Sequence, residues 1–193
     1  NNLELDPTGR PVTLHRGKIC RDNGVAFECR DLDTEVWRNS TLRPIAVEPD
    51  GSVLIASLNL YRVSVQDWRA AWGKAGGKIA LKSVLTRKQV GGEILAVVRR
   101  PEDGVYWMSC GMELCRMGTN GEIRHFGKAD GLPESRWYDV TSDRKGNLYA
   151  RGLKAVAVLR AGASRFEVLS DIKDLHTLRR GRLTVDRDGM LLV

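Results

Sequence analysis

A pattern of one apolar segment, a turn that ends in glycine and a second apolar segment recurs along this chain. The turn glycines are spaced 42, 53, 42 and 43 residues apart, at Gly9, Gly51, Gly104, Gly146 and Gly189. Self-similarity at a nearly fixed period is typical of repeat architectures, in which each repeat is one supersecondary unit. The spacing therefore predicts that residues 1–193 form an array of similar units.

The apolar segments of each unit alternate with the two-residue period of a β-strand. Leu3 and Leu5 stand six and four residues before the first turn glycine, as Ile45 and Val47 stand before the second. A second strand is predicted after each glycine, a third strand at residues 19–21, 60–62 and 114–116, and a fourth strand at residues 25–29, 123–126 and 165–169. Four short strands per unit are the pattern of a propeller blade. The predicted fold is all-β, a partial β-propeller of about four blades of four-stranded antiparallel sheet.

Two stretches depart from the simple blade pattern. Residues 66–72 contain good helix formers, but they occupy the place of a fourth strand, so a strand is favoured over a helix. The long interval places an insertion at residues 73–92, after that strand. Because loops tolerate added length at little entropic cost, we expect an excursion that is more mobile than the core and is cleaved first in limited proteolysis.

The stretch from Phe126 to Tyr149 carries a recognisable motif. It contains Asp-Gly-Leu-Pro at residues 130–133 and Asp-Arg-Lys-Gly-Asn-Leu-Tyr at residues 143–149. This stretch resembles the two-component-regulator propeller repeat, whereas the rest of the chain matches only the blade skeleton. The resemblance implies a periplasmic sensor domain of a bacterial inner-membrane protein, with a histidine kinase or a diguanylate cyclase as its output.

The resemblance sets the expected function. The chain is expected to bind an unidentified extracellular or periplasmic ligand for a two-component or diguanylate cyclase receptor, without catalysis of its own. A propeller-type lyase and a purely structural protein-interaction propeller remain alternatives, because a fold does not specify a function. The chain lacks an initiating Met and begins and ends inside blades, so we expect a fragment completed by the remaining blades or by a second copy.

The net charge of +7 favours anionic partners. Nucleic acid is not expected among them, because the basic residues are dispersed and no basic cluster is interleaved with aromatic residues. The order of strands in a blade brings the starts of the inner strands and the second-to-third turns to one face. The candidate ligand-binding residues on that face are Arg43, Glu113, Arg136, Trp137, Arg180 and Arg182.

Arginine forks beside an aromatic platform suit carboxylate-, sulfate- or phosphate-bearing ligands such as an acidic saccharide. The alternative is that these arginines only solvate the rim and that Trp137 packs between blades. The opposite face carries the Asp-x-x-Gly turns, whose recurrence is explained by turn geometry.

No catalytic residue, cofactor or metal site is predicted. Residues 186–189 copy the opening of an EF-hand, but the remaining calcium ligands are missing. Residues 72–78 are rich in glycine and lysine but lack the spacing of a phosphate-binding loop. The three histidines fall in different phases of the repeat and form no cluster for nucleophilic catalysis.

Cys110 and Cys115 flank the short link between the second and third strands of one blade. If the link is a hairpin, the two side chains face each other and can form a disulfide, which fits an oxidising periplasm. The alternative is that both are small half-buried residues. Cys20 occupies the same blade position as Cys115, so a packing role is expected for it.

Overall fold

The computed structural model describes residues 3–15, 17–33, 45–72, 77–171, 183–186 and 189–192. It divides into two compact units, Asn1–Thr86 and Arg87–Val193. Among the described residues, no helix has the length and apolar character that are needed to cross a bilayer.

The first unit contains two sheets, each of which has four antiparallel main strands. The strands of the first sheet are β1 (Leu3–Leu5), β2 (Pro11–His15), β3 (Lys18–Asp22) and β4 (Phe27–Asp33). β8 (Ile79–Ala80) adds a parallel fifth strand beside β4. The strands of the second sheet are β5 (Ile45–Val47), β6 (Val53–Ser57), β7 (Asn59–Val63) and β9 (Lys82–Leu85). Buried Val, Leu and Ile side chains from both sheets form one core cluster.

The prediction of a strand at residues 66–72 is wrong, because α1 (Val65–Trp72) occupies this stretch. Ser64 begins the helix: its Oγ accepts the N–H of Asp67 at 3.1 Å and donates to Asp67 Oδ2 at 2.6 Å. The rings of Trp68 and Trp72, one helical turn apart, stack with centroids 4.7 Å apart. Capping and burial of one apolar helix face therefore prevail over the register of the repeat.

The position of the insertion is corrected by the same finding. The fourth strand of this sheet is β9, which lies inside the stretch that was assigned to an excursion. The additional residues, α1 and β8, lie between the third and fourth strands rather than after the fourth. Residues 73–76 of the expected excursion lie outside the described residues.

The second unit contains two further four-stranded antiparallel sheets and a strand pair. One sheet consists of β10 (Val97–Arg99), β11 (Tyr106–Cys110), β12 (Glu113–Met117) and β13 (Ile123–Phe126). The next consists of β14 (Trp137–Ser142), β15 (Leu148–Gly152), β16 (Ala155–Leu159) and β17 (Glu167–Asp171). β18 (Thr184–Val185) pairs with β19 (Leu191–Leu192). The predicted all-β class with repeated four-stranded antiparallel blades is confirmed.

The core of the second unit is aromatic. Trp107 packs against Phe126 with ring centroids 4.7 Å apart, and Phe166 meets both rings edge-on at 6.0 and 6.1 Å. Trp137 belongs to the same cluster of buried side chains. Large rings dominate the apolar area that such a core buries, so the second unit depends strongly on them.

The predicted turn glycines all adopt the left-handed conformation, with φ between 69° and 86°. In the β14–β15 turn the N–H of Gly146 donates to the Asp143 carbonyl oxygen at 3.3 Å, and the Asp143 N–H donates to the Asn147 carbonyl oxygen at 3.0 Å. Asp143 Oδ1 also accepts the N–H groups of Lys145 and Asn147. The recurring Asp-x-x-Gly pattern is therefore a hairpin turn whose first side chain binds its own backbone.

Asp143 makes the turn sensitive to pH. Although burial acts to raise the pKa of its carboxyl group, hydrogen bonds from Asn147, Lys145 and Tyr149 hold that pKa below the ordinary value. A depressed folded-state pKa stabilises the folded chain above the unfolded pKa, and this stability is lost as the pH falls through the folded value.

We therefore expect the wild-type free energy of unfolding to decrease between pH 7 and pH 3 more steeply than that of Asp143→Asn. At pH 7 the variant should lose about 1–3 kcal/mol, because a buried hydrogen-bond acceptor is replaced. Urea unfolding at several pH values measures both quantities. Parallel pH profiles would show that Asp143 does not carry this dependence.

The Asp-Gly-Leu-Pro motif forms the connection between β13 and β14. Asp130 Oδ2 accepts the N–H of Gly127 at 3.0 Å, and the Asp130 carbonyl oxygen accepts the N–H of Phe166 at 2.8 Å. Gly131 has a φ of 91°, and Leu132 is buried in the aromatic core. The motif therefore holds neighbouring sheets of the second unit together, and its residues are engaged in structural contacts.

Candidate functional site

One end of the second unit gathers several residues that the sequence analysis assigned to ligand binding. The Gly111 N–H donates to the Glu93 carbonyl oxygen at 3.1 Å, and the Trp137 N–H donates to the Gly111 carbonyl oxygen at 3.3 Å. The β11–β12 turn thus lies beside the segments that precede β10 and β14. We call the surface formed by Glu93, Met112, Glu113, Arg136 and their neighbours the hairpin face. Of the other predicted ligand-binding residues, the following lie outside the described residues: Arg43, Arg180 and Arg182.

Trp137 is not a platform on this face. Its side chain is fully buried in the core, and its indole Nε1–H donates to the Met112 carbonyl oxygen at 3.2 Å. The expectation of an exposed aromatic platform is therefore wrong, and the packing alternative describes this residue. The physical reason is that a large ring at the start of an inner strand excludes more water when it packs against the neighbouring sheet.

Arg136 lies on the hairpin face, but its guanidinium is already engaged. It forms an ion pair with Glu93 and lies over the ring of Tyr138, 5.6 Å from the centroid. The side chain remains 44% exposed, so further donors reach solvent. An anionic ligand would therefore share this guanidinium with Glu93 or displace it.

Glu113 is paired as well. Its Oε2 lies 2.9 Å from His125 Nδ1, and the Sγ atom of Cys115 lies 3.5 Å from the same nitrogen. Glu113 and His125 are both about half-exposed. The described part of the hairpin face thus contains two acid–base pairs, in which Glu93 contacts Arg136 and Glu113 contacts His125.

An open depression adjoins the Glu93–Arg136 pair. Its volume is about 520 Å³, and it is lined by Arg87, Lys88, Gly91, Gly92 and Glu93. A Cβ atom on Gly92 would lie 2.6 Å from the backbone of Cys110 and Gly111, so only glycine permits this close approach. The depression is within the size range of small-molecule sites, and Arg87, Lys88 and Glu93 place charged groups at its wall.

Glu93 is not among the residues predicted from the sequence. Glu93 meets Arg136 across 43 residues of chain, and no local motif marks either member of the pair. Arg87 and Lys88 belong to the basic insertion of residues 73–92, which the strand order predicts on this face. The available signal was the Gly91-Gly92 dipeptide, which indicates a close backbone approach.

The structure contains two disulfides. Cys110 is bonded to Cys115, but Cys110 pairs in register with Glu113, so the two cysteines lie diagonally rather than directly opposite each other. Cys20 is bonded to Cys29, its direct partner across β3 and β4, with Cα atoms 4.1 Å apart. The expectation of a packing role alone for Cys20 is therefore wrong. The predicted fourth strand at residues 25–29 already placed Cys29 beside the strand of Cys20.

Comparison with known proteins identifies the fold. No protein-family model matches the chain, and no curated protein matches its sequence. Virginiamycin B lyase from Staphylococcus aureus is structurally similar, with a TM-score of 0.64 and 14% identity over 96% of this chain and 59% of the lyase. A gluconolactonase from Xanthomonas campestris has a TM-score of 0.61 and 15% identity over 99% of this chain and 67% of the enzyme.

Extracellular domains of signalling proteins are similar to the same degree. The extracellular domain of a proposed one-component system from B. thetaiotaomicron has a TM-score of 0.61 and 12% identity, over 98% of this chain and 27% of that protein. The extracellular domain of a proposed hybrid two-component system from the same organism has a TM-score of 0.59 and 17% identity, over 95% of this chain and 26% of that protein. The chain thus spans just over half the length of the lyases and about a quarter of the sensor chains. These likenesses establish that the chain has the β-propeller fold.

Proposed function

We propose that this chain is the ligand-binding part of a periplasmic sensor propeller in a bacterial membrane-bound two-component or diguanylate cyclase receptor. The observation that carries the proposal is the likeness of nearly the whole chain to extracellular domains of signalling proteins. The two disulfides support it, because disulfides persist in oxidising compartments such as the periplasm. The Asp-Gly-Leu-Pro motif of residues 130–133 points to the two-component-regulator propeller family. The remaining blades, or a second copy, complete the propeller.

The hairpin face is the proposed ligand site, and binding rather than catalysis is its proposed role. Its carboxylates contact basic side chains, Glu93 with Arg136 and Glu113 with His125. Paired groups of this kind recognise polar ligands through shared hydrogen bonds. Lys88 and the exposed part of Arg136 supply positive charge beside the depression, which suits an acidic saccharide.

A topology experiment in the full-length protein tests the compartment. Alkaline phosphatase, which folds only outside the cytoplasm, is fused at the end of this chain, and β-galactosidase is fused at the same position as the matched control. We expect phosphatase activity and no galactosidase activity. The coding sequence beyond the chain is expected to contain an apolar span of about 20 residues and an output domain. Galactosidase activity, or a protein without such a span, would refute the sensor assignment.

A binding titration with the same full-length protein tests the ligand class. Acidic oligosaccharides are titrated against wild type, Lys88→Gln and Arg136→Gln, with Arg160→Gln as a control that removes the same charge from an exposed site. We expect the first two variants to weaken binding by about tenfold, as is typical when a charge-assisted hydrogen bond is lost. Equal affinity in all four proteins, or equal affinity for neutral oligosaccharides, would exclude the hairpin face as an acidic-saccharide site.

A further inference from the structure

A second cavity lies in the first unit, on the side of the glycine turns. Its volume is about 150 Å³, and the β1–β2 turn, the β5–β6 turn and α1 surround it. Charged side chains at its wall are Asp6, Arg21, Asp50 and Arg69. Turn geometry alone accounts for the recurrence of these turns in the sequence, so none of these residues has a predicted function.

The carboxylate of Asp6 has no spare acceptor capacity for a ligand. Its Oδ1 accepts the N–H groups of Thr8 and Arg10 and the hydroxyl of Thr8, and its Oδ2 lies 2.6 Å from Arg21 Nη2. Although burial acts to raise the pKa of Asp6, these hydrogen bonds and the Arg21 charge hold it below the ordinary value. Asp6 therefore serves to fix the turn and the arginine beside the cavity.

Asp50 is engaged in the same way within its own turn. Ser52 donates to it from the backbone N–H at 2.8 Å and from the hydroxyl at 3.0 Å. Arg62 Nη2 lies 3.1 Å from Asp50 Oδ2. Both acidic groups at the cavity are thus occupied by partners of the protein itself.

The arginines, in contrast, keep unused donors. The Nε–H of Arg21 is buried and has no hydrogen-bond partner among the described residues. The Arg21 side chain as a whole is 31% exposed, and its contact with Asp6 is made by Nη2, so its Nη groups keep donor capacity for an acceptor supplied from outside the chain. Arg69 is exposed on α1 and forms no ion pair with a carboxylate of the described part of the chain.

Apart from Thr8 and Gly51, the rest of the wall is apolar. Pro7, Val12, Pro49, Val65 and the buried Trp68 line the cavity. An apolar protein cavity of about 150 Å³ accommodates a molecule of the size of benzene. The ligand that matches this wall therefore combines one anionic acceptor group with a compact apolar body of about six carbon atoms.

We propose that this cavity binds a small monocarboxylate with a compact apolar body, whose carboxylate is held by Arg21 and Arg69. The apolar body lies against Trp68 and Val65, and the carboxylate accepts hydrogen bonds from the Nη groups of Arg21 and Arg69. A guanidinium presents donors in a fork that matches a carboxylate. Two guanidinium groups at one cavity therefore favour a carboxylate over an uncharged group. This site is separate from the hairpin face, and its occupancy does not depend on the sensor assignment.

Sodium benzoate is the probe for this site, with calorimetric titration as the measurement. Benzyl alcohol lacks the charge, and sodium acetate lacks the apolar body. We expect benzoate to bind wild type at least about tenfold more tightly than either analogue, because each loses one of the two contributions. Undetectable benzoate binding at 10 mM, or equal affinity for benzyl alcohol, would overturn the proposal.

Single arginine substitutions test whether benzoate binds at this cavity. Arg69→Gln changes an exposed helix position and should weaken benzoate binding by about tenfold without altering the melting temperature. Arg160→Gln removes the same charge from the second unit and should leave the affinity unchanged. Arg21→Gln also removes the partner of Asp6, so its melting temperature is measured beside its affinity. If Arg69→Gln and Arg160→Gln bind benzoate equally, the carboxylate does not lie at this cavity and the proposal fails.

Discussion

Trp137→Ala is expected to lower the free energy of unfolding by about 3–5 kcal/mol, the usual cost of deleting a fully buried large aromatic side chain. The ring is completely inaccessible and belongs to the aromatic core of the second unit. Its removal leaves a cavity and also leaves the Met112 carbonyl oxygen without the indole donor. Urea denaturation followed by circular dichroism measures the loss. Trp137→Phe, which retains most of the apolar volume, should recover a large part of it.

Arg136→Ala is the matched control at the neighbouring residue. Its side chain is 44% exposed and its partner is Glu93, and exposed ion pairs contribute about 0–1 kcal/mol. We therefore expect its free energy of unfolding to remain within about 1 kcal/mol of wild type. If the two substitutions lower the free energy of unfolding equally, the buried Trp137 ring does not contribute more to stability than the exposed Arg136 side chain.

The blade pattern was predictable because its signals are local. A glycine with positive φ follows an aspartate whose side chain binds the turn backbone, as in Asp143–Gly146, and this chemistry is readable from four residues. Alternating apolar residues on both sides of such a turn then define a hairpin. Consecutive antiparallel strands pair with their neighbours in these sheets, so strand order follows chain order except at β8, which joins the first sheet beside β4.

Helix α1 was missed although local signals for it were present. Ser64 and Asp67 form a cap, and Trp68 and Trp72 have the four-residue spacing of one helix face. The repeat register suggested a strand at this place, and the register was the weaker signal, because an insertion within a blade shifts every later position. Capping and aromatic spacing are properties of the residues themselves and are unaffected by such a shift.

The candidate sites were only partly predictable from the sequence, because folding brings together ion-pair partners that are far apart along the chain. Arg136 was identified as a surface cation, but its pairing with Glu93 joins residues 43 positions apart. The Arg21–Asp6 pair depends on the register of β1, β2 and β3, and the unpaired Nε–H of Arg21 is visible only in three dimensions. The strand order inferred from the sequence therefore indicates which residues share a face. Only the structure shows which hydrogen-bond donors and acceptors on that face are unpaired.

Gly131→Ala is expected to destabilise the second unit by about 2–5 kcal/mol through two separate effects. Gly131 has a φ of 91°, a conformation that costs a residue with a Cβ atom about 1–2 kcal/mol. The added methyl group would also overlap the carbonyl oxygen of Phe166. Backbone atoms cannot rotate away as a side chain can, so relief requires the β13–β14 connection to separate from the start of β17, at a further cost of about 1–3 kcal/mol.

Gly162→Ala separates these two effects. Gly162 has a similar φ of 77°, but a Cβ atom there would meet nothing within 4 Å. This control should therefore lose only the conformational part, about 1–2 kcal/mol. The difference between the two variants in urea unfolding measures the contact between the Asp-Gly-Leu-Pro motif and Phe166. A difference near zero would mean that Gly131 is required for its backbone angle alone, and that the motif does not depend on close packing against the next blade.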